Sequence, residues 1–480
     1  MPEFEADFMA RATGGTWKRS LGSGRVTSYT QDSRQAGPGC CFVALRTNRR
    51  DGHDFIGEAR RAGAVAALVD REVADPLPQL LVPNALKGLQ DLGAAHRQCF
   101  SGKVVGITGS CGKTTTRGML EMALGKGVHA TQGNLNNEIG LPLTLLRLDQ
   151  NEHWVSVVET GINRRGEMEV LARILAPDLA IFTMVGEAHL DGLSSVDGVA
   201  REKLNLFQHL REGGRGVFSE SAWAIPIIRD WVREHGGEVC LPHDSDGEGS
   251  DGVSLWFRRV EALAEGRQRL YLGEAAGEAK LELMLWGMSP GMISNLALAA
   301  IAALRLGVSS EAVVERLEGW SPLPMRGDWR EVGQMRILLD CYNSNPSSMA
   351  DSLDWFFEKA SGAADRVFIL GGMSELGTAA GALHERTVDR HGWKETDEVF
   401  LVGDLAKAFL VGLRRGVLKE TSIHQLEAAE DLREVILGWL GAGRKVDIFV
   451  KGSRSAGLEK VFPPELGHLL LPIENPEMTN

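Results

Sequence analysis

The sequence predicts an α/β protein of three domains: a small N-terminal α/β domain, a central domain built on a parallel sheet, and a Rossmann-like C-terminal α/β domain. Three observations carry this. The chain has 480 residues, against roughly 150 for a typical single domain. From Lys103 onward, short apolar strands that end in glycine or polar residues alternate with helical segments, the pattern of a parallel sheet covered on both faces. A Pro-containing stretch, "SPLPMRGDW" at 321–329, then interrupts the series before a second one begins. The boundaries expected are 1–99, 100–322 and 323–480, with a hinge in that stretch.

Composition narrows the class. Hydrophobic residues make up 43% and charged residues 24%, the balance of a soluble globular protein able to bury sizeable cores, which excludes whole-chain disorder. Charge or glycine interrupts every apolar run well before the roughly 20 residues a membrane span needs. The acidic start "MPEFEADFMA" is unlike a secretory signal, so a cytoplasmic protein without a transmembrane segment is expected. Six cysteines show no CxxC pair and no zinc or disulfide spacing, and read as reduced, mostly structural thiols. A net charge of −12 argues against nucleic acid as a partner, so an anionic substrate must be met by locally placed Lys, Arg and backbone N–H groups.

Taken in order, "CFVAL" reads as a strand and "DFIGEARRAGAVAALVD" as a helix followed by a strand. "KVVGIT", "VSVVE" and "LAIFTMV" are strands of the central domain, the acidic glycine-rich segment at 243–252 is a surface loop, and the tail "ENPEMTN" is loose. "RILLD", "RVFIL", "EVFLV" and "DIFV" are strands of the third domain. In "KVVGITGSCGKTTT" a strand ends, glycines turn the chain and a helix begins near Thr114, so backbone N–H groups and the helix N-terminus face an anion. The central domain is therefore expected to be a phosphate-loop domain that holds a nucleotide phosphate. Gly109, Ser110, Cys111, Gly112, Lys113, Thr114 and Thr115 form the loop, with Lys113 reaching the β- and γ-phosphates and the Thr114 hydroxyl a Mg²⁺. The strict pattern wants a glycine five residues before Gly112, and Ile107 stands there instead.

Glu159 closes "VSVVE" and His189 follows "LAIFTMV", both near strand ends where an open parallel sheet binds ligands. Each reads either as a divalent-cation ligand or as an ordinary strand-end side chain, and local sequence makes Lys203 a solvated helix lysine. "TQGNLNNEIGLPLTLL", 131–146, holds three Asn within four positions and reads as a polar loop, either a structural turn or a clamp on a sugar-bearing substrate. "DCYNSNPSSM" and "KGSRSAGLEK" follow strands of the third domain and present polar groups at its sheet ends, with Ser347 available as a helix N-cap.

These segments together resemble the Mur ligases of bacterial cell-wall synthesis over nearly the whole chain. The resemblance runs through "DSRQAGPGCCFVAL", "GITGSCGKTTT", "GNLNNEIGLP", "VVETGINRRGEM", "GEAHLDGLSSVDGVAREK", "DCYNSNPSSM", "GGMSELG" and "VKGSRSAGLEKV". It is strongest to the branch that joins D-alanyl-D-alanine to a UDP-N-acetylmuramoyl-tripeptide, and it implies ATP-driven amide formation through an acyl phosphate. It further implies catalytic roles for Lys113, Glu159, His189 and Lys203. Mg²⁺ ligation falls to Thr114, Glu159, His189 and Lys203, the last as a carbamate. Asn295, Arg326, Asp340 and Asn343 would border ATP, Asp32, Ser33 and Arg34 the uridine end of the substrate, and Asn136 and Asn137 its phosphate or sugar region. A monomeric enzyme is expected. The chain departs from the family where "SPGMISN" lacks a His shortly before Asn295, and where the hinge Gly-Arg appears as Arg326-Gly327. Rivals are the diaminopimelate- or lysine-adding muramoyl ligase, a folate polyglutamylating ligase, and an ATP-binding regulatory protein that ligates nothing.

Overall fold

The computed structural model describes residues 2–22, 24–245, 252–274, 279–360, 362, 364–463 and 466. Residues 246–251 of the expected acidic loop and the expected loose tail lie outside them. The chain forms two compact units, each discontinuous in sequence: 1–108 with 124–182 and 202–217, and 109–123 with 183–201 and 218–480.

The first unit holds a five-stranded sheet of order β1-β5-β4-β3-β2, from β1 (Thr16–Trp17), β2 (Ser28–Thr30), β3 (Cys40–Val43), β4 (Ala66–Val69) and β5 (Gln79–Leu81). β3 and β4 are buried along their whole length, and only the edge strand β1 runs antiparallel. Helix Ala85–Cys99 follows, its N-terminus capped by the Asn84 side chain, which accepts from the Lys87 N–H. Gly93 lets this helix approach helix Gly140–Leu145 closely: an added Cβ would lie 2.8 Å from Pro142 Cβ. Leu143 and Leu146 consequently share one apolar core with Phe4, Met9, Leu80 and Leu89.

The same unit holds a parallel array in the order β7-β8-β6-β9, from β6 (Lys103–Thr108), β7 (Val128–Ala130), β8 (Val155–Glu159) and β9 (Leu179–Phe182). β8 and β9 are buried throughout and β6 everywhere but Lys103, as continuous apolar strands covered on both faces must be. Ile107 pairs with Glu159 and Thr108 with Phe182. Ile107 is thus still a strand residue, which explains the missing glycine: the turn begins two residues later, at Gly109.

After β10 (Arg215–Ser219), the second unit contains β11 (Gly237–Pro242), β12 (Val253–Ala262), β13 (Arg267–Glu274) and β14 (Leu281–Trp286), which pair in sequence, parallel first and then antiparallel. A six-stranded sheet has the order β15-β16-β20-β17-β18-β19, from β15 (Asp328–Val332), β16 (Met335–Leu339), β17 (Asp365–Gly371), β18 (Glu398–Val402), β19 (Ile423–Leu426) and β20 (Val446–Lys451). Only its edge strand β15 is antiparallel. The four strands expected here correspond to β16, β17, β18 and β20. Ile337, Ile369, Ile448 and Val450 sit at the centre of its core.

Candidate functional site

The phosphate loop lies in the second unit. Its helix spans Lys113–Leu124 and begins one residue before the expected start. Two glycines are required by geometry. Gly109 has φ +153°, and a Cβ there would stand 1.9 Å from Thr183 Oγ1; Gly112 has φ +84°, and a Cβ there would stand 2.5 Å from Asn295 Oδ1. Asn295, on helix Pro290–Arg305, is thereby placed against the loop. The loop is pinned from outside: Ser110 Oγ donates to the Gly186 carbonyl and accepts from its N–H, both at 3.0 Å, and Thr183 Oγ1 donates to the Cys111 carbonyl at 2.5 Å. Lys113 Nζ donates to the Gly109 carbonyl at 2.8 Å, so its ammonium is folded back over the loop it would share with a phosphate. Thr115 is buried. Burial pushes the Cys111 thiol up to about 12, which leaves it a neutral packing group.

Residues from the second half of the unit reach the loop. Asn345 Nδ2 donates to the Ser110 carbonyl at 3.1 Å while its Oδ1 caps helix Pro346–Lys359 and Ser348 closes a reciprocal capping box. The N-cap is therefore Asn345 and not Ser347, because Pro346 takes the first helical position, where its missing N–H costs nothing. Asp351 on that helix accepts from Ser289 Oγ at 2.6 Å and from the Gly291 N–H at 2.9 Å. A Cβ on Gly291 would meet Asp351 Oδ2 at 2.8 Å, so this carboxylate fills the space beside the helix start in the segment where the family's His is lacking. Asp340 forms an ion pair with Lys451, which is 1% exposed and also reaches the Asn343 carbonyl. Asn343 Oδ1 accepts from the Ser344 N–H at 2.9 Å. The Arg326 guanidinium stacks 3.9 Å from the Tyr342 ring centroid, between Met325 and Gly327, both in left-handed conformations.

His189 also has a left-handed backbone, and its Nδ1 lies 2.5 Å from Glu375 Oε2, another left-handed residue. The His189 hydrogen bond, and then the Lys113 charge, hold the Glu375 carboxyl below its ordinary value against a burial that raises it. Two non-glycine residues in that region facing each other mark stored backbone strain.

The remaining candidates belong to the first unit. Glu159 is 1% exposed at the end of β8, and its N–H donates to Thr131 Oγ1 at 2.9 Å. Asn136 lies beside that strand end, its carbonyl accepting from the Gly161 N–H at 2.8 Å. Asn137 turns the chain into the short helix Gly140–Leu145, its Oδ1 accepting from the Ile139 and Gly140 N–H groups two residues ahead of the N-cap Ile139. The stretch 131–146 is therefore a loop only to Ile139. Its last apolar residues are buried as a helix, which Pro142 in the first turn does not oppose. Lys203 is 0% exposed within helix Val196–Gln208, which overturns the solvated-lysine reading. Asp32, Ser33 and Arg34 line a cavity of about 930 Å³. Asp32 caps the turn they form and binds Arg34 through both oxygens; that hydrogen bond is the main cause that lowers its carboxyl to about 2. Sequence reasoning did not single out Arg46, Lys451, Asp351 or Glu375. The run "RTNRRD" was the available signal for the first.

Comparison with known proteins shows the family. Models described as Mur ligase family, catalytic domain, Mur ligase middle domain, and Mur ligase, glutamate ligase domain match residues 25–97, 107–304 and 325–454. A UDP-N-acetylmuramoyl-tripeptide–D-alanyl-D-alanine ligase from Treponema pallidum is 32% identical over 453 residues, 90% of this chain and 92% of that protein. The chain belongs to the Mur ligase family. A ligase of the same description from Escherichia coli is 31% identical and is covered over 93% of its length, by 91% of this Mur ligase. Among solved structures, a MurF from Acinetobacter baumannii superposes with a TM-score of 0.83 at 27% identity, covering 96% of this Mur ligase and 98% of that chain. A MurF from Thermotoga maritima, solved in complex with ADP, gives 0.75 at 26% identity, with 91% and 96% covered. The expected α/β fold of three domains holds for this Mur ligase.

Proposed function

We propose that this chain joins D-alanyl-D-alanine to UDP-N-acetylmuramoyl-tripeptide, driven by ATP, in peptidoglycan precursor synthesis. The observation that carries the reading is the agreement between relatives of that description over nine-tenths of the chain and a phosphate loop whose glycines, helix and lysine leave a cradle for phosphate. The tripeptide's terminal carboxylate attacks the γ-phosphorus and ADP leaves. The amine of D-alanyl-D-alanine then attacks the acyl carbon, phosphate departs, and the amine's proton is lost to solvent or base. Lys113 exchanges the Gly109 carbonyl for phosphate oxygens, and the N–H groups at the start of its helix face the same charge. Asn295, Arg326, Asp340 and Asn343 are assigned to the nucleotide, Asp32, Ser33 and Arg34 to the uridine end, and Asn136 to the sugar or phosphate region.

The residues present fit Mg²⁺. Thr114 offers a hydroxyl and Glu159 a buried carboxylate, hard oxygen donors of the kind Mg²⁺ takes alongside phosphates and water. Among the described residues no three His, Cys, Asp or Glu side chains are gathered as a closed metal cage, and an ion held here would take its other ligands from the nucleotide. His189 is a further nitrogen donor, and Lys203 joins the set as a carbamate, because a buried ammonium cannot ligate a cation. When bound, Mg²⁺ neutralises phosphate charge and lowers repulsion between two anionic reactants. Domain boundaries at 99 and 322, a monomeric state and a cytoplasmic location complete the proposal. No described helix is long and apolar enough to cross a membrane.

Phosphate release from ATP, measured against a panel of UDP-muramoyl peptides with and without D-alanyl-D-alanine, tests the assignment. Turnover is expected only with the tripeptide and the dipeptide together. Turnover with diaminopimelate or lysine on the UDP-dipeptide, or none with any pair, overturns it.

A further inference from the structure

The cavity at Asp32 has a second wall that the family assignment of Asp32, Ser33 and Arg34 leaves out. Residues 45–52 double back as a tight hairpin: the Gly52 N–H donates to the Leu45 carbonyl at 2.8 Å, the Thr47 N–H to the Arg50 carbonyl at 2.9 Å, and Arg46 and Asp51 form a bridge. Gly52 is required, since a Cβ would stand 2.7 Å from the backbone of Leu45. Arg46, Thr47, Asn48 and Arg50 from this hairpin line the cavity.

Behind the hairpin lies His53, whose side chain is fully buried and does not line the cavity. Its Nε2 accepts from the Asp70 N–H at 3.3 Å, which leaves the proton on Nδ1 to donate to Asp51 Oδ1 at 2.6 Å. Asp70 directly follows β4, and its Oδ2 accepts from Arg46 Nε and Nη2 at 3.2 and 3.1 Å. One imidazole therefore bridges the hairpin, through Asp51, and the sheet end, through Asp70, and both bridges converge on Arg46. The His53 backbone N–H, ahead of the ring, also holds the Asp51 carboxyl well below the usual carboxylate range.

We propose that His53 is a positioning residue for the UDP-linked substrate: it ties the 45–52 hairpin to the end of β4 and so fixes the Arg46 guanidinium on the cavity wall, where it meets an anionic group of that substrate. The inference rests on the substrate class proposed above. Arg46 spends two donors on Asp70 and keeps others for a ligand, and an arginine held this way loses little freedom on binding. A nucleoside diphosphate is the part of the substrate that demands such a group.

The test compares wild type with Arg46→Ala, His53→Asn and the double variant in the full-length protein. Asn at 53 can keep the bond to Asp51 through its Nδ2 but cannot reach Asp70. Each single variant is expected to raise KM for the UDP-tripeptide about tenfold or more, with KM for ATP moved by less than about twofold. The double variant is expected to be no worse than Arg46→Ala alone, because His53 acts through Arg46. ATP binding by calorimetry reports the folded fraction of each protein. An unchanged KM for the UDP-tripeptide in His53→Asn, additive effects in the double variant, or an equal rise in KM for ATP overturns this inference alone. A wild type that binds no UDP-linked peptide overturns it together with the substrate assignment.

Discussion

Replacing Gly109 with Ala tests whether the phosphate loop depends on the close approach at its first glycine. The new methyl would stand 1.9 Å from Thr183 Oγ1, where nothing under 3.0 Å is tolerable, at φ +153°. A side chain in that backbone region costs about 1–3 kcal/mol, and forcing an extra methyl into a packed site costs about 1–3 kcal/mol more. Relief requires the loop or Thr183 to move by roughly 1 Å, which breaks the 2.5 Å bond from Thr183 Oγ1 to the Cys111 carbonyl. A displacement of that size costs about 100-fold in turnover where phosphate must be held in line. Gly22→Ala is the control: φ is +61° and nothing lies within 4 Å, so strain of about 1–2 kcal/mol is expected without loss of turnover. Chemical denaturation gives the stability change, and phosphate release with saturating substrates gives the rate. A Gly109→Ala protein with wild-type turnover would refute the close-approach argument, whatever its stability.

Lys113→Ala is expected to lower turnover by about 100-fold or more while the melting curve stays near wild type, since the side chain lies over the phosphate loop, donating to its Gly109 carbonyl, rather than in an apolar core; phosphate release and denaturation measured on the same sample check both halves. Lys203→Ala is expected to lose most activity, and a small added carboxylate that fills the vacancy should restore part of it; a bare ammonium at Lys203 in a high-resolution map of the metal-bound enzyme, together with an active Lys203→Ala variant, would return Lys203 to a packing role. Burial raises the Asp351 carboxyl above its ordinary value, so the folded state keeps that proton to higher pH than the unfolded chain. Its contribution to stability is therefore greatest below the ordinary Asp value and falls as pH rises through the raised one. Asp351→Asn, which can still accept from Gly291 and donate to Ser289, should remove that slope in denaturation curves taken across the acid range.

Much of the fold was legible because buried parallel strands leave continuous apolar runs. β6, β8, β16, β17, β18 and β20 all fall where "KVVGIT", "VSVVE" and the four third-domain runs place them. β12 to β14 were missed, since their pairing is antiparallel and half-exposed, and their apolar residues alternate with charge in runs such as "RQRLYLGE". Helix Gly140–Leu145 was hidden by its neighbours: three Asn residues dominate the window, and nothing local says that the next six will be packed under helix Ala85–Cys99. That packing puts residues on both sides of position 99 into one core, a long-range fact that composition cannot carry.

The site divides along the same line. The glycines of the loop, Lys113 and the strand-end Glu159 are legible because their roles follow from local geometry: a strand stops, a turn needs positive φ, a helix starts. Lys203 is not, because within "VAREKLNLF" it looks like any helix lysine, and only the closure of the fold over it makes a fully buried amine. The residues that act on others are hidden more deeply still. Glu375 meets His189 across 186 positions of sequence, Asp351 accepts from the Gly291 N–H at the start of the helix that begins at Pro290, and His53 reaches Arg46 only through Asp51 and Asp70. Each of these is a polar side chain whose partner is chosen by topology. A motif marks where phosphate is held; the carboxylates and imidazoles that decide how rigidly it is held appear only when the chain has folded. Substitutions there should change substrate KM values and pH profiles before they change the fold, which is the signature that separates positioning from packing.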